Sequence, residues 1–140
     1  MTASPFPAGF TQVQTEGFGG FAGPVMGGTD DKGPLFLMDI AYQHLNGADR
    51  LHGGMMMSLM SIVMGEVAAA TAKVKDASAV TRPLSLNCDF VSAGETDERI
   101  EGRAEVTRAT RSVMFISGTL AVGPRVLMTA TGVYAIKAAE

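Results

Sequence analysis

The sequence predicts an α+β domain in which an antiparallel sheet wraps a single apolar helix. Three observations carry this. The stretch Gly54 to Lys73 has no proline, is rich in Met, Leu and Ala, and carries Glu66 as its only charge before Lys73, the composition of a helix buried on every side. After it, apolar and polar residues alternate with period two in one segment after another. The links between those segments are hairpin-sized, so the segments are expected to run antiparallel to their neighbours.

Residues 1–34 hold eight of the 17 glycines and four of the six prolines, residues that break both helical and strand periodicity, so this stretch is expected to be an irregular arm. Phe6, Phe10, Phe18 and Phe21 within it imply an arm that lies over a surface. The domain then occupies 35–140. Leu35 to Tyr42 reads as its first strand, and Asn46-Gly47-Ala48-Asp49 supplies turn chemistry before the helix. At about 100° per residue, Ser58, Ser61, Gly65, Ala68, Ala69 and Ala72 form a small-residue stripe on the helix, opposite Met55, Leu59, Ile62 and Glu66. Met55, Met56, Met57, Met60 and Met64 suit flexible core filling. Four strands follow: Leu84 to Phe90, Arg99 to Thr107, Ser112 to Val122 and Arg125 to Lys137, linked at Ser92-Ala93-Gly94, Ala109-Thr110-Arg111 and Gly123-Pro124. A sheet of about five strands round one helix leaves edges and an outer face uncovered, which predicts a homo-oligomer.

Composition narrows the functions. Hydrophobic residues make up 46% of the chain and charged residues 18%, enough apolar material for one core and too little charge for a disordered chain. Eleven Lys+Arg against 14 Asp+Glu give a net charge of −3 with scattered cations, so no nucleic-acid partner is expected. One cysteine, Cys88, and two histidines, His44 and His52, assemble neither a disulfide framework nor a zinc site, so no metal is expected and a reducing cytoplasm is. The first cation is Lys32 and the longest uncharged apolar run, Gly53 to Gly65, is short for a bilayer, so neither a signal peptide nor a membrane is expected. Gly17-Phe18-Gly19-Gly20 lacks the strand-turn-helix context of a dinucleotide fingerprint, and no cofactor motif is present.

One local signal rises above this background: Asn46-Gly47-Ala48-Asp49-Arg50-Leu51-His52-Gly53-Gly54, where a loop enters the helix. Two glycines allow close backbone approach, and the unpaired amides of the helix start, with the positive dipole end, favour a developing oxyanion. Asn46 is placed to hydrogen-bond a carbonyl or a water beside it.

With the strand and helix order, this Asn-x5-His-Gly-Gly segment resembles the hotdog-fold thioesterases, in particular the phenylacetic-acid-degradation (PaaI-like) branch of the 4-hydroxybenzoyl-CoA thioesterase superfamily, over roughly residues 35–137. The resemblance implies hydrolysis of acyl-CoA thioesters by a dimer or dimer of dimers, with sites at the subunit interface. It implies that Asn46 holds the thioester or the attacking water, that the Gly53 amide polarises the thioester carbonyl, with Gly54 beside it, and that His52 orients the loop. The family's helix carboxylate, nine residues after the His, falls on Ser61, and a serine hydroxyl without a neighbouring base is a poor proton acceptor. Glu66 lies about 140° round the helix from Ser61, a poor geometry for simple substitution. The family's strand hydroxyl falls near Pro83, with Thr81 and Ser85 adjacent; Ser85 is the expected contact. Arg82, Arg108 and Arg111 are expected to meet the anionic nucleotide of CoA.

Three readings remain open. The first is an active thioesterase whose base comes from elsewhere, with Asp39, Asp49, Asp89 and His44 as candidates. The second is a degenerate acyl-CoA-binding module without hydrolysis. The third is a hydratase or dehydratase acting on an acyl thioester, which needs an acid/base pair.

Overall fold

The computed structural model describes residues 4–138. Its core is the 23-residue helix α2 (Gly53–Lys75), preceded by β1 (Thr11–Val13), the six-residue helix α1 (Gly17–Ala22), β2 (Val25–Asp30) and β3 (Gly33–Asp39). It is followed by β4 (Val80–Phe90), β5 (Arg99–Ala109), β6 (Val113–Val122) and β7 (Arg125–Lys137). The strands form one antiparallel sheet in the order β1-β2-β3-β5-β6-β7-β4.

The sheet curls round α2, which packs against β4, β5, β6 and β7. Met60, Val63 and Met64 of the helix are fully buried with Met38, Ile100, Leu120, Leu127 and Met128 of the strands. Three strand glycines make this close approach possible. A Cβ on Gly102, Gly118 or Gly132 would stand 2.8 Å from Val63 Cγ2, 2.7 Å from Met60 Sδ or 2.9 Å from Met64 Sδ. The unbranched methionines fill the space those missing side chains leave.

Four expectations are corrected. Residues 11–30 are not irregular: β1 and β2 extend the sheet to seven strands instead of about five, and position 34 lies inside β3. The glycines there serve contact, since a Cβ on Gly28 would be 2.7 Å from the Phe10 ring and one on Gly27 3.1 Å from the Phe36 ring. Phe6 likewise sits 4.2 Å beneath the Arg99 guanidinium, whereas Phe18 and Phe21 are exposed. Ser92-Ala93-Gly94 is not a hairpin: β4 pairs with β7 and β5 with β3, so residues 91–98 carry the chain between separate parts of the sheet. That crossing is pinned where Leu51 N donates to Gly94 O and Ile40 N to Glu98 O, both at 2.9 Å. The helix expected over Gly54 to Lys73 forms over Gly53–Lys75, but the expectation of a run short for a bilayer is corrected: by length and composition this helix could cross a membrane, with half of its most apolar 18 residues buried inside this domain. Finally, the small-residue stripe and its opposite face are not separated as a two-sided helix requires, because Ala68 and Ala72 are buried while Ser58, Ser61 and Gly65 share an open groove with Ile62 and Glu66.

Candidate active site

The loop before α2 is cinched round one side chain. Asn46 Oδ1 accepts from the amides of Ala48 (2.9 Å) and Arg50 (3.1 Å), and Asn46 N donates to Arg50 O at 2.7 Å. Asp49 closes the turn at φ 58, a left-handed conformation that aspartate tolerates. Because Oδ1 is committed to two N–H donors, the amide orientation is fixed and Nδ2 faces away from the loop as a free donor. Asn46 is exposed.

His52 caps α2 by accepting from Gly54 N at Nδ1, 2.8 Å away, so its proton resides on Nε2. This satisfies the Gly54 amide and leaves Gly53 N without an acceptor among the described residues. Gly53 is glycine for space as well: a Cβ there would stand 3.2 Å from the Phe90 ring at the end of β4.

Ser61 lies elsewhere, about 12 Å along the helix axis from Gly53 at 1.5 Å per residue. It lines a groove of about 630 Å³ between α2 and β4. The helix contributes Ser58, Ser61, Gly65 and Glu66, β4 contributes Thr81 and Pro83, and Tyr134 of β7 is also part of the lining. Residues 14–19 form the remaining wall through Gln14, Glu16, Phe18 and Gly19. Ser61 and Thr81 are half-buried in this lining, and a Cβ on Gly65 would meet nothing within 4 Å. Tyr134 is buried, and its burial raises its phenol pKa.

The expected hydroxyl, Ser85, is not in this groove; Thr81 is. The cause is a bulge at Leu84: the register pairs Pro83 with Tyr134 but Ser85 with Val133, so the inward positions run 81, 83, 86, 88 and Ser85 faces outward. Unbroken alternation in the sequence hides this. Glu66 is the other residue that the helical angle argued against, and it lines the groove because the open face of α2 is wide enough to include both Ser61 and Glu66. Gln14 and Tyr134 carried no sequence signal.

The candidate bases from elsewhere are otherwise engaged or distant. Asp39 is held by the Arg99 guanidinium at 2.6 and 3.0 Å. His44 is buried, with Nδ1 accepting from Ala41 N at 3.0 Å and Nε2 donating to Ala22 O at 2.6 Å, so both ring nitrogens are structural. Asp49 and Asp89 are exposed and line no part of the groove. The three arginines are not gathered there either. Arg82 is exposed on β4 and Arg108 on β5, while Arg111 lines a separate hollow of about 480 Å³ with Lys75 and Lys137 near the end of α2. Within one chain, then, Asn46, His52 and Gly53 stand together at the helix start, Ser61, Thr81 and Glu66 stand together in the groove, and the two groups are apart.

The family model for the acyl-CoA thioesterase N-terminal domain matches residues 43–135. No curated protein matches the chain in sequence. Among solved structures, a hypothetical thioesterase from Streptococcus pneumoniae TIGR4, crystallised with coenzyme A, is similar with a TM-score of 0.66 at 17% identity, over 76% of this chain and 82% of that one. The PaaI protein from the phenylacetic acid degradation operon of E. coli is similar with a TM-score of 0.68 at 15% identity, over 76% and 73%. A conserved protein from Pseudomonas aeruginosa reaches a TM-score of 0.75 at 19% identity, over 87% and 94%. At these identities the likeness is one of fold.

Proposed function

The chain belongs to the acyl-CoA thioesterase domain family, with the hotdog fold of its PaaI-like members, and from that premise we propose that it hydrolyses acyl-CoA thioesters to free acid and CoA. The observation that carries this reading is the groove of Ser61, Thr81 and Glu66, which combines two hydroxyls and a carboxylate where the family resemblance puts its helix carboxylate and strand hydroxyl. The coenzyme A in the Streptococcus pneumoniae thioesterase supports CoA esters as the ligand class.

The reaction needs a donor for the thioester oxygen and a holder for water. The free Gly53 N–H, at the positive end of α2, and the outward Nδ2 of Asn46 supply the first. The hydroxyls of Ser61 and Thr81 supply the second. Since the two groups are apart in one chain, a second copy completes the site: the loop of one protomer faces the groove of its partner. The β4 edge, unpaired on its outer side and exposing Val80, Leu84 and Phe90, is where that copy docks, in a dimer or a dimer of dimers.

Release of free thiol from short, medium, long and aromatic acyl-CoAs tests the proposal. Turnover is expected, falling about 10- to 1,000-fold in Asn46→Ala through loss of one transition-state contact. No turnover by the folded protein on any ester overturns hydrolysis. That outcome belongs to the second reading, a degenerate acyl-CoA-binding module, which Ser61 in place of the carboxylate favours and in which acyl-CoA still raises Tm. The hydratase reading has no such support, because His44 is fully engaged and no histidine lines the groove.

A further inference from the structure

We infer that Glu66, held across the groove by Gln14, is the carboxylate that takes the proton of the attacking water; this rests on the hydrolytic reading above. Glu66 stands five residues past Ser61, about 7.5 Å along the axis. Both residues line the same groove, and Gln14, whose amide the Glu66 carboxylate accepts, lines it with them. Oε2 accepts from Gln14 Nε2 at 3.3 Å, and Oε1 has no partner among the described residues. No arginine or lysine pairs with it there, whereas Asp30, Asp39, Glu95 and Glu98 each face an arginine.

Gln14 is placed for this contact. It adopts φ 48, a left-handed conformation uncommon for a non-glycine residue. Gly19 opens the space it occupies, since a Cβ there would stand 2.7 Å from Gln14 Cβ and 2.8 Å from its Oε1. Gly20 does the same for the next residue, where a Cβ would come within 2.2 Å of Thr15 O. The glycine-rich run before α1's end therefore seats a side chain on the groove, and it does so from a segment outside the stretch that the family model matches.

In the step assigned, Glu66 accepts a proton from water as the water oxygen bonds to the thioester carbonyl carbon. The tetrahedral intermediate collapses with cleavage of the C–S bond, and Glu66 returns the proton to the CoA sulfur. Thioester and water become acid and thiol, with Glu66 regenerated.

The test is thiol release against pH, with Tm, for the full chain and its Glu66→Gln, Gln14→Ala and Glu16→Gln variants. Glu66→Gln, which keeps an acceptor for Gln14, is expected to lose about 100-fold or more in kcat, to lose the acid limb of the pH profile and to keep its Tm. Gln14→Ala, a change at a positioning residue, is expected to lower kcat several-fold while KM and Tm stay near the wild-type values. If Glu66→Gln fails to fold, Glu66→Asp replaces it, with kcat reduced and the acid limb retained. Wild-type turnover and pH profile in Glu66→Gln overturn the assignment and leave the thioesterase reading standing, as does a loss carried by Glu16→Gln alone. No thiol release by the wild type overturns both.

Discussion

Replacing Asn46 by Asp separates the loop role of this side chain from its role toward substrate. In the folded chain Oδ1 accepts from two backbone amides, at 2.9 and 3.1 Å, and a carboxylate preserves both bonds while adding charge assistance. The loop should therefore keep its stability, with Tm unchanged or slightly higher. What disappears is the outward Nδ2–H, and a negative charge takes its place beside the developing oxyanion. Loss of one such donor costs about 3–4 kcal/mol in the transition state, or about 100- to 1,000-fold in kcat. Asn46→Ala is the complement: it removes both loop bonds, and at about 0.5–1.5 kcal/mol each, less in this exposed loop, stability falls by about 1–2 kcal/mol. For a domain of this size that is a Tm decrease of roughly 3–8 °C. The assay is kcat and KM by thiol release alongside a thermal melt. An Asn46→Asp protein that keeps a third or more of wild-type kcat would refute the argument, because Nδ2 would then touch nothing that reacts.

Other outcomes follow from the same geometry. Ser61→Asp is expected to raise thiol release while the protein stays folded, because Ser61 faces an open groove; collapse of the fold on a melt would place Ser61 against another backbone instead. Met60→Ala, at a fully buried position against Gly118, should cost about 2–5 kcal/mol by chemical denaturation, and a loss under 1 would mean that the core closes over the gap. Glu98 accepts from Arg125 at 2.6 Å, which holds its carboxyl below the ordinary value of 4.5. Its contribution is complete above that value and fades as pH falls through the lower folded one, so Glu98→Gln should flatten the acid-side decline in stability, modestly because the pair is partly exposed.

How much was legible in the sequence depends on whether the signal was local. The helix was, because Gly53–Lys75 lacks proline and carries few charges, and so were β5, β6 and β7, whose alternation and short turns are self-contained. The partner of β4 was not: it pairs with β7, the most distant strand in the chain, while the short link after it looks like a turn. Nor was the bulge at Leu84, which moves Thr81 into the groove and Ser85 out of it. β1 and β2 were hidden because Gly27 and Gly28 carry no side chains to alternate; their meaning lies in Phe36 and Phe10 pressing on them from elsewhere. The turn and helix cap of the Asn46 to Gly54 segment were readable since both form within nine residues. Gln14 and Glu66, 52 residues apart, meet only in the folded chain.

The central claim, acyl-CoA hydrolysis in a groove completed by the loop of a second copy, is tested most directly by mixing two inactive variants. Asn46→Ala disables the loop, and Gly65→Phe fills the groove at a position with open space. After the two are unfolded and refolded together, half of the dimers are mixed and each mixed dimer holds one intact pairing of loop and groove. Thiol release should return to about a quarter of the wild-type value in a two-fold symmetric dimer. A mixture in which mixed dimers form and no thiol is released would contradict the account.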